Sequence, residues 1–408
     1  MQTAAHLNAY RSLFVRTHRQ MPMNPSDNPF RIGEHVSGYH FADREEELAR
    51  IRTAMLAASS LLVYGPRRMG KSSTIQNAAE SARLSRPKPI IVSADVATAT
   101  NLFDVSARLL RSLYLETRWL KLRLEDLLGG LAPRVTVRLD ERGGPPAITF
   151  GIDRRTASEE DRRRAFEGVF DRLSQIRQET KRPVAVVLDE FQAIGGFAGE
   201  SSEWHLRDVM QTHGDLAFVC AGSQETLIHE MIGPQRAFYK MFDLLPLGPI
   251  EATKFAGWLD ERLAKGSGVG PGVGAALVRL AGPRTQDVIQ VARQLYFRGL
   301  AAKRKVVEDD VLATLDEVVR NDAPLLRSLW NDLSAQQQDV MRVVALGVEQ
   351  LYSTEVRDRY GLPGASSVHK AVETLVGRGL LLRDDDRVVF DSPFFLRWVR
   401  TEVAPDLG

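Results

Sequence analysis

The segment LLVYGPRRMGKSST, residues 61–74, constrains this chain more than any other: an apolar run enters a turn that carries glycines, arginines, a lysine and serines. The spacing of Gly65, Gly70, Lys71 and Ser72 satisfies G-x-x-x-x-G-K-[ST], the phosphate-binding loop pattern that follows a strand and opens a helix. Glycines let the backbone curl until successive N–H groups point inward as an anion nest, and the following helix adds the positive end of its dipole. The expectation is that Gly65, Pro66, Arg67, Arg68, Met69, Gly70, Lys71, Ser72 and Ser73 wrap the phosphates of ATP. Lys71 would reach the β- and γ-phosphates, and Ser72 would offer an oxygen to Mg²⁺. A glycine-containing strand-to-helix turn with a chance lysine is the competing reading, and context decides between them.

That context comes first from VAVVLDEFQAI, in which an apolar strand, Val184 to Leu188, delivers two carboxylates at its C-terminal end. Ligands of open parallel sheets sit at that end of the strands. Asp189 is expected to hold Mg²⁺, commonly through its water, and Glu190 to orient and polarise the water that attacks the γ-phosphate. The alternative is an Asp-Glu pair that only caps the strand. A third apolar strand, in DLAFVCAGSQET, ends in small and polar residues. If it lies between the other two, Ser223 and Gln224 face the γ-phosphate as donors, although Ser223 is equally suited to cap the helix that begins at Glu225.

Composition bounds the rest. The chain has 408 residues, a formal charge of +2 and a single cysteine, Cys220. Length and an ordinary apolar fraction suit about two to three globular domains. A nearly neutral total does not announce a nucleic-acid binder, while leaving room for a local basic face. One cysteine excludes internal disulfides and a four-cysteine zinc site, and its place in LAFVCAG makes it a buried structural thiol. The first twenty residues lack the apolar core of a signal peptide and no later run is long enough to span a bilayer, so a cytoplasmic protein without a membrane partner is expected.

Punctuation divides the chain. Residues 1–27 read as a Pro- and Asn-rich tail. From residue 28 to 249, apolar runs rich in β-branched residues alternate with helical patterns, which indicates an α/β domain with a parallel sheet covered on both faces. Within it, about residues 133–152 read as an inserted hairpin turning at Gly-Gly-Pro-Pro. Residues 250–322 switch to helical periodicity and residues 323–408 form a third unit.

The order NPFRIGEHVSGYHFADREEEL, GPRRMGKSS, LDEFQ, AGS, AFYKMFDLLPLGP resembles the archaeal-type ATPases, P-loop proteins close to the AAA+ and STAND classes, and the likeness runs from Asn28 to about residue 400. It implies an ASCE-type sheet with the sensor strand between the two nucleotide-binding strands, followed by a helical lid and a winged-helix domain. The same resemblance places the neighbourhood of Arg44 near the adenine. The family commonly has an arginine shortly after an aromatic residue before the last strand, where AFYKMF carries Lys240. Arg236, four residues earlier, and Arg284, in LAGPRTQDVIQVARQL, are the candidate finger or sensor arginines, the first acting across a subunit boundary in a homo-oligomer.

The C-terminal unit has its own grammar. LSAQQQDVMRVVALG opens with a capping box, Ser334 with Gln337, and STEVRDRYGLPGASSVHKAVETLVGRGLL reads as helix, turn, helix. LLLRDDDRVVFDSPFFLRWV alternates around an acidic turn as a β-wing does. In such a winged helix the second helix starts near Ser366 and presents Ser367, His369, Lys370 and Arg378 to DNA, or the module docks a protein partner, with the acidic wing tip opposing phosphate. Two functional readings follow: a Mg²⁺-dependent ATPase that remodels DNA or protein, and a slow ATP/ADP-gated, STAND-like switch. A small-molecule kinase is the remoter third: the Asp-Glu strand and the winged helix argue against it, since a kinase needs an acceptor site and a lid rather than a DNA-binding-type module.

Overall fold

The computed structural model describes residues 28–117, 135–138, 147–150, 159–197, 200–223, 225–384 and 387–404. The tail of residues 1–27, Gln224 and the wing-tip residues Asp385 and Asp386 lie outside the described residues. The chain divides into two compact units: Gly33–Pro249, and the described residues up to Ile32 together with those from Ile250 on.

The first unit is built on a five-stranded parallel sheet. In chain order its elements are α1 (Glu45–Leu56), β1 (Ser60–Tyr64), α2 (Lys71–Ala82), β2 (Ile90–Asp95), α3 (Leu102–Thr117), the pair β3 (Val135–Arg138) and β4 (Ala147–Phe150), α4 (Glu159–Thr180), β5 (Val184–Asp189), α5 (Glu200–Thr212), β6 (Ala217–Gly222), α6 (Glu225–Ile232) and β7 (Asp243–Pro246). The sheet order is β2-β5-β6-β1-β7, so the strand after the Asp-Glu strand inserts between it and the phosphate-loop strand. Register follows: Leu62 pairs with Cys220, and Val186 with both Val92 and Phe218. β3 and β4 form a separate antiparallel pair.

Strand residues alternate between two cores, which is why near-continuous apolar runs are needed. Val186, Leu188, Phe218, Cys220 and Leu62 face a core with Phe103, Leu109, Phe166, Phe170 and Leu206 of α3, α4 and α5. Ala185, Val187, Val219, Ala221, Leu61 and Val63 face the opposite core with Ile51, Met55, Ile75 and Ala78 of α1 and α2. Helices on both faces make three layers, as parallel sheets require. Cys220 is buried in the first core, and desolvation pushes its thiol well above the ordinary range.

The second unit is helical: α7 (Ala252–Leu263), α8 (Val273–Ala281), α9 (Thr285–Ala302), α10 (Glu308–Asn331), α11 (Ala335–Ala345), α12 (Thr354–Tyr360), α13 (Ala365–Gly377), the antiparallel pair β8 (Leu381–Asp384) and β9 (Arg387–Phe390), and α14 (Pro393–Trp398). Ser334 caps α11 in a reciprocal box with Gln337, at 3.3 and 3.0 Å. Two boundaries differ from those expected. Asn28 to Ile32 pack with the helical unit, where the Phe30 ring meets Trp258 and Tyr296 edge-on and Asn28 donates to the Arg293 carbonyl. The boundary at residues 322 and 323 falls inside α10, which continues through Pro324. A proline removes one N–H and clashes with one carbonyl, and α10 accommodates both through burial of Val311, Leu315, Val318, Val319, Leu326 and Trp330. Among the described residues, no helix is long and apolar enough to cross a membrane.

Candidate active site

Because β1, β6 and β5 are parallel neighbours, their C-terminal ends lie side by side and gather the loop after Tyr64, Ser223 and the Asp189-Glu190 pair. Neighbouring strands sit about 4.8 Å apart, close enough for their end residues to share hydrogen bonds.

The loop takes the shape its glycines permit. Gly65 has φ +152° and a Cβ there would lie 2.5 Å from the Leu247 carbonyl oxygen; Gly70, φ +88°, is the left-handed residue from which α2 starts. Arg68 is also left-handed, at φ 69°, and Arg67 and Arg68 are exposed while Met69 is buried. The Lys71 ammonium is buried and donates to the carbonyls of Gly65 and Pro66, both at 2.8 Å, which pulls it across the mouth of the loop. Ser73 accepts the Val36 N–H at 3.3 Å, and Asn77 donates to the Val36 carbonyl at 2.7 Å, so the segment around Val36 is laid against the start of α2.

Ser72 donates its hydroxyl to Asp189 Oδ2 at 2.6 Å, which joins the ends of two sequence motifs that are 117 residues apart. A hydroxyl and a carboxylate are hard oxygen donors, and magnesium in nucleotide sites takes one or two carboxylates plus phosphate oxygens. Among the described residues no group of three or more His, Cys, Asp or Glu side chains could hold a metal ion. Ser72 and Asp189 are oxygen donors of the kind such an ion takes.

Glu190 sits in the left-handed region at φ 53°, a conformation that costs a non-glycine residue roughly 1–2 kcal/mol. Its Oε2 accepts the Ser223 hydroxyl at 2.7 Å and the Gln192 amide N–H, and its own N–H donates to Asp189 Oδ1 at 3.0 Å. The structure thus brings Lys71, Ser72, Asp189, Glu190 and Ser223 together at the C-terminal ends of the three central strands. Gln192 was not anticipated from sequence; the LDEFQ run contains it, but nothing in the run alone says that its amide turns back onto Glu190.

The arginines have other engagements. Arg44, expected beside the base, is buried, and its guanidinium braces protein: it donates to the carbonyls of Met69 at 3.3 Å and Gly248 at 2.7 Å and pairs with Glu47 at 3.1 Å. Arg236 donates to both oxygens of the buried Glu203 carboxylate at 3.0 Å, within its own unit. Arg284, which opens α9, is buried and ion-paired to Asp391 just beyond β9.

On the winged helix, α13 starts at Ala365, with Ser366, His369 and Lys370 exposed and Ser367 half-buried. Glu373 lies one turn beyond His369 and is paired with Arg383 of β8. Arg378 donates to the Asp332 carbonyl at the end of α10, at 3.2 Å.

Comparison with known proteins agrees with this geometry. Residues 41–245 match an ATPase domain predominantly from Archaea, and residues 325–401 match a probable winged helix domain. The chain belongs to this archaeal-type ATPase family and is a P-loop ATPase with a C-terminal winged helix. In structure it is similar to a Walker-type ATPase of Pyrococcus abyssi, with 16% identity, coverage of 91% of this chain and 99% of that one, and a TM-score of 0.62. It is also similar to the ORC2 protein of Aeropyrum pernix in its ADPNP-ADP complexes, with 15% identity, coverage of 93% and 98%, and a TM-score of 0.55. No curated protein matches it in sequence.

Proposed function

We propose that this ATPase binds Mg²⁺-ATP at the loop of residues 65–73, hydrolyses it with Glu190 as the water-activating base, and couples the cycle to a conformational change that acts on DNA through the winged helix. The contact that carries the reading is Ser72 to Asp189 at 2.6 Å, with Glu190 next in sequence and tied to Ser223. Together these contacts join the phosphate loop, the acidic strand and the sensor strand at the C-terminal ends of the central strands. Similarity to a protein solved with ADPNP and ADP supports nucleotide use.

Each group has a task set by its chemistry. Lys71 exchanges its two carbonyl acceptors for phosphate oxygens, with which a buried ammonium makes a stronger, charge-assisted bond. Ser72 and Asp189 would hold magnesium, whose charge, when bound, offsets that of the phosphates. Glu190 takes the proton of the attacking water, and Ser223 moves its hydroxyl from Glu190 toward the γ-phosphate, so that release of the base follows arrival of ATP.

The DNA arm rests on exposed Ser366, His369 and Lys370 at the start of α13. Glu373 beside them and the engagement of Arg378 keep that face only weakly cationic. This supports weak, sequence-insensitive DNA binding. The test is ATP turnover with and without DNA across a salt series. Turnover that rises on adding DNA, with binding that falls as salt rises, is the expected result. Tightly retained ADP, little turnover and no salt-sensitive DNA affinity would replace it with an ATP/ADP-gated switch whose winged helix docks protein.

A further inference from the structure

We propose that Gln192 is a positioning residue that sets the carboxylate of Glu190, an inference that rests on the water-activating role proposed above. Gln192 lies in the short 3-10 turn Phe191–Gly196 directly after the acidic strand, and it is buried. Its amide nitrogen donates to Glu190 Oε2, the same oxygen that accepts the Ser223 hydroxyl at 2.7 Å. Two donors on one oxygen fix the plane of the carboxylate and leave Oε1 as the oxygen to receive a proton. Ser223 is needed at the phosphate once ATP is bound, so Gln192 is the donor that stays with Glu190 through the reaction.

Three features show that the fold is arranged around this amide. The left-handed turn at Glu190, φ 53°, folds the chain back so that the side chain two residues later reaches the carboxylate. Phe191 anchors that turn through edge contacts with Phe238 at 5.0 Å and Phe242 at 5.6 Å. At the end of the sensor strand, a Cβ on Gly222 would lie 2.9 Å from Gln192 Oε1 and 2.5 Å from Ile228 Cδ1, so a glycine makes the space the amide occupies. The carbonyl end of the same amide, Oε1, is buried with no hydrogen-bond partner among the described residues. An apolar side chain of similar volume would avoid that desolvation cost, so what the position uses is the N–H donor.

The test uses Gln192→Ala and Gln192→Met in the full chain, the second keeping a similar volume while losing the donor. Expected is a fall in kcat of about tenfold in both, with affinity for a fluorescent ATP analogue within about twofold of the parent. In a Glu190→Gln background, Gln192→Ala should lower residual turnover no further, because a residue acting through Glu190 has nothing left to act on. A purely structural role would instead lower turnover by the same factor in both backgrounds. Unchanged kcat, equal losses in both backgrounds, or an affinity loss matching the kcat loss would each overturn the inference. If alanine prevents folding, Gln192→Met carries the test. Turnover that survives Gln192→Ala but is lost in Glu190→Gln defeats this inference alone, whereas a parent whose turnover is indifferent to Glu190→Gln defeats the reading beneath it.

Discussion

At Gly65 a single methyl group decides whether the loop can close, because its Cβ would meet the Leu247 carbonyl oxygen at 2.5 Å and the obstacle is backbone. Gly65→Ala should cost about 1–3 kcal/mol of stability and weaken nucleotide binding, measurable as a lower unfolding midpoint and a raised Kd for ATP. Lys71 and Glu190 separate binding from chemistry. Lys71→Ala should weaken ATP binding, while Glu190→Gln should leave binding intact and lower kcat by roughly 10²-fold; equal loss of affinity in both would refute the assignment. These residues are legible in sequence because the motif and its function share one short stretch of backbone. The brace made by Arg44 was not legible, because its acceptors, Met69 and Gly248, lie 25 and 204 residues away and only the sheet brings them together. The same holds for Arg236, whose partner Glu203 is 33 residues off. Glu203 is buried and acidic, so Arg236→Ala should destabilise the P-loop unit by about 3 kcal/mol. Loss of turnover in that variant should therefore be compared with its unfolding curve before a finger role is assigned.

At the scale of elements, caps and pairs separate what pattern predicts from what packing adds. The Ser334 box at α11 follows from four letters of sequence, the two-faced burial of the sheet follows from its apolar runs, and the strand order follows only from the resemblance. The start of α10 has a support no pattern announces: Arg304 grips both oxygens of Asp310 at 2.7 Å and the Val307 N–H donates to the same carboxylate at 2.9 Å. The Arg304 hydrogen bonds, opposed by partial burial, hold the Asp310 carboxyl below its ordinary range. A depressed folded-state value means that this contribution is present above the ordinary carboxylate range, near pH 4, and is lost as pH falls through the lower folded value. Asp310→Asn should accordingly flatten the acid limb of stability against pH in denaturant titrations. On α13, Lys370→Glu should reduce DNA affinity more than Arg378→Glu does, since the Arg378 guanidinium is engaged at Asp332. Binding measured at two salt concentrations distinguishes the two variants.

For the whole molecule, two compact units predict two unfolding events. Saturating ATP at about 100 times its Kd should raise the stability of the P-loop unit by about 2.7 kcal/mol, and calorimetry with and without nucleotide would show its transition move up. Within the helical unit, Arg284→Ala and Asp391→Asn each remove the ion pair between these two side chains. If Arg284 serves only Asp391, both should lower the helical transition alike and spare hydrolysis; a selective loss of turnover in Arg284→Ala would mark it as a sensor. The helix α10 carries a consequence of another kind. It runs from Glu308 to Asn331, about 36 Å at 1.5 Å per residue. Asp316 in its first half pairs with Arg397 of α14, and Trp330 near its end packs edge-on against Phe395 and Trp398. One shaft is therefore fastened to α14 at two points, Asp316 and Trp330, about 21 Å apart along its axis, as a hinge leaf is held by two screws, so α14 cannot pivot on α10 without breaking one of them.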